Sequence, residues 1–196
     1  VKALTDVVVT SGNAKKVIDS IPKDTKLIFG PDYNLGSYIN SVTGRNMLLW
    51  NGGCHVHERF SVAEIVKLKE QHPEAVVMAH LECKAPVLAA ADVKGSTATM
   101  LHYAQDHPEV KEFIVATEAG TLHEMQRTCP NQTFLPVPPE VTEGGRGCAC
   151  TECEYMKKNT LKKVYNALKY GWPAVEVDPA IARDAVKPIE RMLSLS

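Results

Sequence analysis

Cys54 lies in a stretch whose residue types could bind a metal or move protons. Trp50 and two glycines precede it closely, and His55 and His57 follow it. Thiolate sulfur and imidazole nitrogen are the donors of zinc sites, and thiolates hold iron–sulfur clusters. Of the two histidines, we expect His57 to face the centre of the molecule. The alternatives are a small buried cysteine that binds nothing and two surface histidines.

A second cysteine group lies near the carboxyl end of the chain. Cys148, Cys150 and Cys153 could form half of a zinc knuckle, or two of them could form a redox disulfide. A structural zinc site needs four ligands, and the sequence has no second Cys-x-x-Cys pair to complete one. The remaining two cysteines, Cys83 and Cys129, are expected to be structural.

Acid–base and anion-binding residues occur at predicted strand ends and helix starts. His80 and Glu82 are two residues apart after a strand, so both side chains point to one side and could exchange protons. Ser11 and Thr97, with Ser96 beside it, open predicted helices where hydroxyl and amide donors suit a carboxylate or phosphate. The alternatives are a solvated His80–Glu82 pair and simple helix capping, and capping is compatible with binding.

Composition narrows the class of protein. The chain has 196 residues and a net charge of −1, which gives no basic surface for nucleic acid or an anionic membrane. It has no apolar run of membrane-spanning length and no signal peptide, so we expect a cytoplasmic protein. Six cysteines without a secretion signal favour metal or redox chemistry over a disulfide framework. The start at Val1, without an initiator methionine, indicates a fragment or a processed product.

Short β-branched runs alternate with helical segments, which predicts an α/β fold with a parallel sheet. Strands are predicted at 6–10, 26–30, 46–51 and 75–79, and helices ending near residues 21, 42, 71 and 195. In open parallel sheets, ligands gather beyond the carboxyl ends of the strands. The residues at those positions are Ser11, Asp32, Cys54, His80, Leu81, Glu82, Ser96, Thr97, Thr117, Glu118 and Cys153.

The order of elements repeats along the chain. Residues 86 positions apart match over the first half of the repeat, as Leu49 does with Leu135. After an insertion at 138–147 the offset becomes 99, which pairs Cys54 with Cys153. The two cysteines are therefore equivalent positions of two repeats and would converge on any axis that relates them. A cluster needs a further ligand, from this chain or from a third repeat outside it.

The repeat divides the chain into an αβα domain at 1–88, a second at 89–178, and a helix at 179–196 that packs back on them. Ordered motifs run through all three parts: Thr10-Ser11-x-Asn13-Ala14, Gly30-Pro31-Asp32-x-Asn34-Leu35-Gly36, Trp50-x-Gly-x-Cys54-x-Val56-His57-Glu58-x-Phe60, His80-x-Glu82-Cys83, Ala91-Asp92-x-x-Gly95-Ser96-Thr97, Ala116-Thr117-Glu118-x-Gly120 and Lys187-Pro188-Ile189-Glu190-Arg191-Met192-Leu193. Together these motifs resemble quinolinate synthase over essentially the whole chain.

The resemblance implies three homologous three-layer αβα domains around a pseudo-threefold axis, each giving one cysteine to a [4Fe-4S] cluster. This chain would hold the second and third domains, with the third cysteine ligand upstream of Val1. The resemblance implies cluster ligation by Cys54 and Cys153, catalytic roles for Glu82, His80 and His57, and substrate binding by Ser11, His80, Leu81, Glu82, Ser96 and Thr97.

The implied reaction condenses iminosuccinate with dihydroxyacetone phosphate, giving quinolinate, phosphate and water on the route to NAD. L-Aspartate oxidase would be the functional neighbour, and no nucleic acid or membrane is involved. With two of three cluster ligands, we expect the isolated chain neither to hold a normal cluster nor to turn over. Two other classes are a zinc- or redox-responsive protein using Cys148, Cys150 and Cys153, and a dicarboxylate-binding fragment without chemistry.

Two residues depart from the family pattern. Leu81 stands where the family usually has proline, which removes a fixed φ angle just before Glu82. Glu154 stands where proline commonly follows the third cluster cysteine. The choice of Cys153 over Cys150 as a ligand therefore depends on the repeat and on Tyr155-Met156, and it leaves Cys148 and Cys150 as possible redox partners.

Overall fold

The computed structural model of the chain describes residues 1–140 and 151–195. Contacts divide the chain into two compact units. The terminal unit consists of Val1–Ile21 and Cys153–Ser196, and the central unit consists of Pro22–Glu152. The domain boundaries inferred from the repeat stay a prediction.

The architecture is α/β with short parallel sheets, as the alternation of strand and helix patterns predicted. The strands are β1 (Ile28–Phe29), β2 (Leu48–Leu49), β3 (Val76–His80), β4 (Val93–Gly95), β5 (Glu112–Ala116) and β6 (Thr133–Pro136). The helices are α1 (Ala14–Asp19), α2 (Tyr33–Thr43), α3 (Val62–Gln71), α4 (Ala85–Ala90), α5 (Thr97–Asp106), α6 (Ala119–Thr128), α7 (Leu161–Tyr170) and α8 (Pro179–Leu195). Among the described helices, none combines the length and apolar character that a membrane span requires.

The larger sheet of the central unit has the strand order β4-β3-β5-β6, and all its neighbours are parallel. Four of the five residues in each central strand are apolar, which is the pattern of a parallel sheet covered on both faces. Phe113 of β5 is fully buried and stacks on Phe134 of β6 with ring centroids 5.3 Å apart. Met100 of α5 and Met125 of α6 pack into the same core.

The register of this sheet brings the ends of three strands together. His80, the last residue of β3, pairs with Gly95 of β4, and Ala79 pairs with Ala116 of β5. The residues that follow each strand therefore share one edge of the sheet, as expected for parallel neighbours. Those residues are Leu81-Glu82, Ser96-Thr97 and Thr117-Glu118.

The local structure around the two equivalent cysteines is the same. The backbone amide of Glu58 donates to the Cys54 carbonyl at 3.0 Å, and that of Lys157 donates to the Cys153 carbonyl at 3.0 Å. A 3₁₀ turn follows in each case, at His57–Arg59 and at Met156–Lys158. Helices α3 and α7 then begin and end at matching positions of the repeat. Pseudo-threefold symmetry remains a prediction.

The strand predicted at 6–10 is absent from the described part of the terminal unit. A strand needs a neighbouring strand to take its backbone hydrogen bonds, and the described residues of this unit form none. The segment instead runs along the closing helix, where the Val8 amide donates to the Pro188 carbonyl at 3.2 Å. Helix α8 itself matches its predicted bounds.

Candidate functional site

Four side chains with metal-binding or proton-transfer chemistry meet at the carboxyl edge of the larger sheet. They are Cys54, His57, His80 and Glu82, and we call them the carboxyl-edge cluster. His80 ends β3, and the next turn is closed by the Cys83 amide, which donates to the His80 carbonyl at 2.9 Å. That turn returns the Glu82 carboxylate towards the His80 ring, 3.9 Å from its Nδ1 atom.

The loop after β2 brings Cys54 and His57 to this edge. His57 lies in the 3₁₀ turn and is buried, whereas His55 is exposed. The ligating atoms of Cys54, His57 and Glu82 all lie within 4.8 Å of one another. The sequence separates these residues by up to 28 positions, and the structure brings them to one point.

Each ring nitrogen of His57 faces a neighbouring polar side chain. Nε2 lies 3.1 Å from the Thr117 hydroxyl at the end of β5. Nδ1 lies 3.2 Å from Glu82 Oε2 at ion-pair distance, but the angles are not those of a hydrogen bond. Within residues 1–140 and 151–195, this buried nitrogen therefore has no hydrogen-bond partner. Its contact is instead electrostatic, because a protonated imidazole and a carboxylate at this distance attract each other.

Neighbouring charges give the side chains of the carboxyl-edge cluster different protonation states. Burial opposes a charge on His57, but the Cys54 sulfur and the Glu82 carboxylate outweigh it and raise the pKa of His57 to about 9. Burial also opposes ionisation of Cys54, yet His57 beside it lowers the pKa of that thiol. The same histidine, acting first through its contact with the carboxylate, lowers the pKa of Glu82. The carboxyl-edge cluster thus combines a protonated imidazole with an ionised carboxylate.

His80 differs from His57 although the two rings stack. Their centroids are 4.5 Å apart and the planes are inclined by 19°. Burial, followed by the positive charge on His57, lowers the pKa of His80 to about 4, so its imidazole is neutral. Two histidines with opposite protonation states beside a carboxylate can donate a proton and accept one within the same site.

Three polar residues hold the Cys54 loop in place. Asp32 is buried and accepts from the Cys54 amide through Oδ2 at 2.6 Å, while its Oδ1 accepts from the Leu35 amide at 3.0 Å and so caps α2. Asn34 donates to Glu58 Oε1 at 2.6 Å. The sequence motifs contain these residues, but only the fold shows that they support the cysteine.

Replacing Asp32 with asparagine should loosen the backbone at Cys54. Asparagine keeps one acceptor oxygen and presents an NH₂ group where the second oxygen was, so only one of the two amides can be satisfied. We expect the free energy of local opening to fall by about 1–3 kcal/mol. Hydrogen exchange of the Cys54 and Leu35 amides measures this loss. Asp24→Asn, at an exposed position, is the matched control, and unchanged exchange in D32N would contradict the assignment.

The other predicted site residues occupy different places. The Ser96 hydroxyl is buried and caps α5 by accepting from the Thr99 amide at 3.2 Å, and Thr97 beside it is exposed. Leu81 is buried between His80 and Glu82. Ser11 and Cys153 belong to the terminal unit.

The remaining cysteines fall into two groups. Cys148 and Cys150 lie outside the described residues. Cys83 and Cys129 are buried free thiols, and burial raises the pKa of Cys83 to about 12, so neither thiol has the character of a metal ligand or nucleophile.

The donor atoms of the carboxyl-edge cluster suit a metal group that binds sulfur. Cys54 is only half-buried and its pKa is lowered, which favours the thiolate form that metals bind. A His57 nitrogen and a Glu82 oxygen lie within 4.8 Å of a Cys54 sulfur that could bind the same metal. Thiolate and imidazole donors suit zinc and iron, and they do not suit magnesium or calcium.

Comparison with known proteins identifies the family. The family described as quinolinate synthetase A protein matches residues 1–194 of the chain. A quinolinate synthase of Nostoc sp. (strain PCC 7120 / SAG 25.82 / UTEX 2576) is 46% identical over 196 residues, which are 100% of this chain and 59% of that protein. The quinolinate synthases of Nostoc punctiforme and Chloroherpeton thalassium are 47% and 46% identical, and the chain again spans 59% of their length. Because the match extends over nearly every residue, the chain belongs to the quinolinate synthetase A protein family.

Proposed function

We propose that this chain carries part of the active site of a quinolinate synthase, which condenses iminosuccinate with dihydroxyacetone phosphate to quinolinate, phosphate and water in NAD biosynthesis. The observation that supports it is the carboxyl-edge cluster, found in a chain that matches the family over residues 1–194. A cytoplasmic location, with L-aspartate oxidase as functional neighbour, belongs to the same proposal.

The cofactor in this proposal is a [4Fe-4S] cluster. Cys54 and Cys153 would hold two of its irons, and the third cysteine would come from the part of the protein that the relatives have and this chain lacks. When bound, such a group supplies a Lewis acid at the iron that has no protein ligand. The lowered pKa of Cys54 agrees with this role, since the thiolate is the ligand form.

The chain's own residues supply proton transfer and orientation. Glu82 is ionised beside His57 and can take a proton from a carbon or nitrogen of the substrate. His57 carries a proton and can donate a charge-assisted hydrogen bond to a substrate carboxylate through Nδ1, because Nε2 is turned to Thr117. Neutral His80, stacked on His57, can accept a proton or donate a hydrogen bond without adding charge.

Substrate carboxylates and phosphate would be oriented by hydroxyl and amide groups. The exposed Thr97 opens the ten-residue helix α5, whose first amides and dipole favour an anion. Ser96 holds this helix start through its cap. Ser11, at the turn before α1, would add a further hydroxyl, and Leu81 would supply apolar contact beside Glu82.

The experiment joins the portion missing from this chain, taken from the Nostoc relative, to Val1. After anaerobic reconstitution with iron and sulfide, we expect the chimera to form quinolinate from iminosuccinate and dihydroxyacetone phosphate, and the 196-residue chain alone to form none. Cys54→Ser in the chimera should abolish the visible absorption of the iron–sulfur cluster, whereas Cys83→Ser should retain it. A folded, iron-loaded chimera without quinolinate formation would contradict the proposed function. Full iron loading and turnover by the chain alone would contradict the need for the missing portion.

A further inference from the structure

We propose that Thr117 is a positioning residue for His57 and holds its ring so that the Nδ1 atom faces the Glu82 carboxylate. The Thr117 hydroxyl lies 3.1 Å from Nε2 of His57, and Glu82 Oε2 lies 3.2 Å from Nδ1. The imidazole therefore stands between a hydroxyl and a carboxylate. All three residues belong to the central unit. The effect on catalysis rests on the proposed function, whereas the contact between Thr117 and His57 does not.

The two polar neighbours select one of two orientations that the His57 ring can adopt. A half-turn about the bond that joins the ring to Cβ exchanges nitrogen for carbon at both positions, and the turned ring occupies nearly the same space. In the turned ring, carbon atoms would face Thr117 and Glu82, and both polar contacts would be lost. The stacking on His80, with centroids 4.5 Å apart, fixes the plane of the ring but does not distinguish the two orientations. The choice therefore depends on the hydroxyl and the carboxylate.

The backbone on both sides of Thr117 is held in place, which gives its hydroxyl a fixed position. Thr117 directly follows β5, a central strand of the larger sheet, and the Cys83 thiol donates to the carbonyl of the last β5 residue at 3.5 Å. The next residue, Glu118, caps α6 by accepting from the Gly120 amide at 2.7 Å. His57 lies in a 3₁₀ turn outside the sheet. The contact therefore ties the ring of His57 to the larger sheet.

The order of hydroxyl, imidazole and carboxylate is that of a nucleophilic triad, but the burial of Thr117 excludes a nucleophilic role. Thr117 is 1% exposed, so a substrate carbon cannot approach its oxygen. A hydroxyl that substrate cannot reach acts only through the imidazole that it contacts. We therefore assign to Thr117 the orientation of His57, and no covalent bond to Thr117 forms or breaks.

The first test is a double-mutant cycle on the full 196-residue chain, without iron or substrate. Thr117→Val keeps the shape of the side chain and removes the hydroxyl, and His57→Phe keeps a ring and removes both nitrogens. Urea unfolding is monitored at Trp50 in a Trp172→Phe background, which confines the measurement to the central unit. We expect Thr117→Val to raise the unfolding equilibrium constant by about 5- to 100-fold, because a buried nitrogen loses its partner. After His57→Phe, the same change should not destabilise the chain.

The second test measures activity in the chimeric enzyme. Thr117→Val should lower kcat for quinolinate formation by about 10- to 100-fold, because the His57 ring can then turn its nitrogens away from the reacting atoms. Thr117→Ser retains the hydroxyl and should keep kcat close to that of the parent. The iron content should be the same in all these enzymes, since Thr117 is not a cluster ligand in the proposal. Thr133→Val, an identical change at the exposed start of β6, is the control and should leave kcat unaltered.

The two tests fail in different ways. An equal effect of Thr117→Val with His57 and with His57→Phe would overturn the contact between the two side chains. A parental kcat in Thr117→Val would overturn the positioning role, and so would an equal loss of kcat in Thr117→Ser. A parent chimera that forms no quinolinate would contradict the proposed function instead, and the unfolding cycle would still decide whether Thr117 holds His57.

Discussion

Replacing Glu82 with glutamine in the chimeric enzyme is expected to lower kcat by about 10²- to 10⁴-fold, the range for loss of a positioned general base. Glutamine keeps the size of the side chain and its carbonyl oxygen, but it cannot take a proton. It also removes the charge 3.2 Å from His57 Nδ1, so the pKa of His57 should fall. The iron content should equal that of the parent, because the cluster ligands are cysteines in the proposal.

Steady-state kinetics of quinolinate formation, with iron and sulfide assayed on the same sample, measure this effect. Glu70→Gln, an identical change at an exposed position of α3, should leave kcat unaltered. A Glu82→Gln enzyme with parental kcat would remove Glu82 from the chemistry. A loss of iron parallel to the loss of activity would make Glu82 a metal ligand of the assembled enzyme and remove its assignment as the base.

Replacing Phe113 with alanine is expected to lower the free energy of unfolding of the central unit by about 3–5 kcal/mol. The side chain is fully buried in the larger sheet and stacks on Phe134, so truncation removes apolar contact and leaves a cavity. Domains are stable by only about 5–15 kcal/mol, so this single change is a large fraction of the total.

Urea unfolding monitored at Trp50, in a Trp172→Phe background, confines the measurement to the central unit. Val66→Ala, at a half-exposed apolar position of α3, is the control and should change the free energy by less than about 0.5 kcal/mol. A change below 1 kcal/mol for Phe113→Ala would contradict the packing at the β5–β6 pair.

Periodicity and turn chemistry predicted the elements that their own residues determine. The closing helix and α3 both end where the sequence pattern predicted, near residues 195 and 71. The internal offsets predicted that Cys54 and Cys153 begin equivalent turns, and the described local structure agrees. The strand predicted at 6–10 was wrong, because a strand depends on a neighbouring strand that a β-branched run cannot specify.

The sequence alone could not predict which residues hold the Cys54 loop and the His57 ring in place, and the reason is physical. The contacts of Asp32 with Cys54 and of Asn34 with Glu58 join residues 22 and 24 positions apart. Such pairings depend on the path of the loops in three dimensions, and no local periodicity encodes that path. The link from His57 to Thr117 spans 60 positions and depends on the order of the strands. Position at a strand end indicated candidate residues, but the partners of each required the fold.

The two oxygens of Asp32 couple the start of α2 to the loop that carries Cys54. One oxygen closes the first turn of α2 and the other fixes the amide of Cys54, so these two events share a single side chain. The Cys54 backbone and the first turn of α2 are therefore stabilised by the same carboxylate. Any change that loosens the first turn of α2 is therefore expected to loosen the backbone at Cys54 as well.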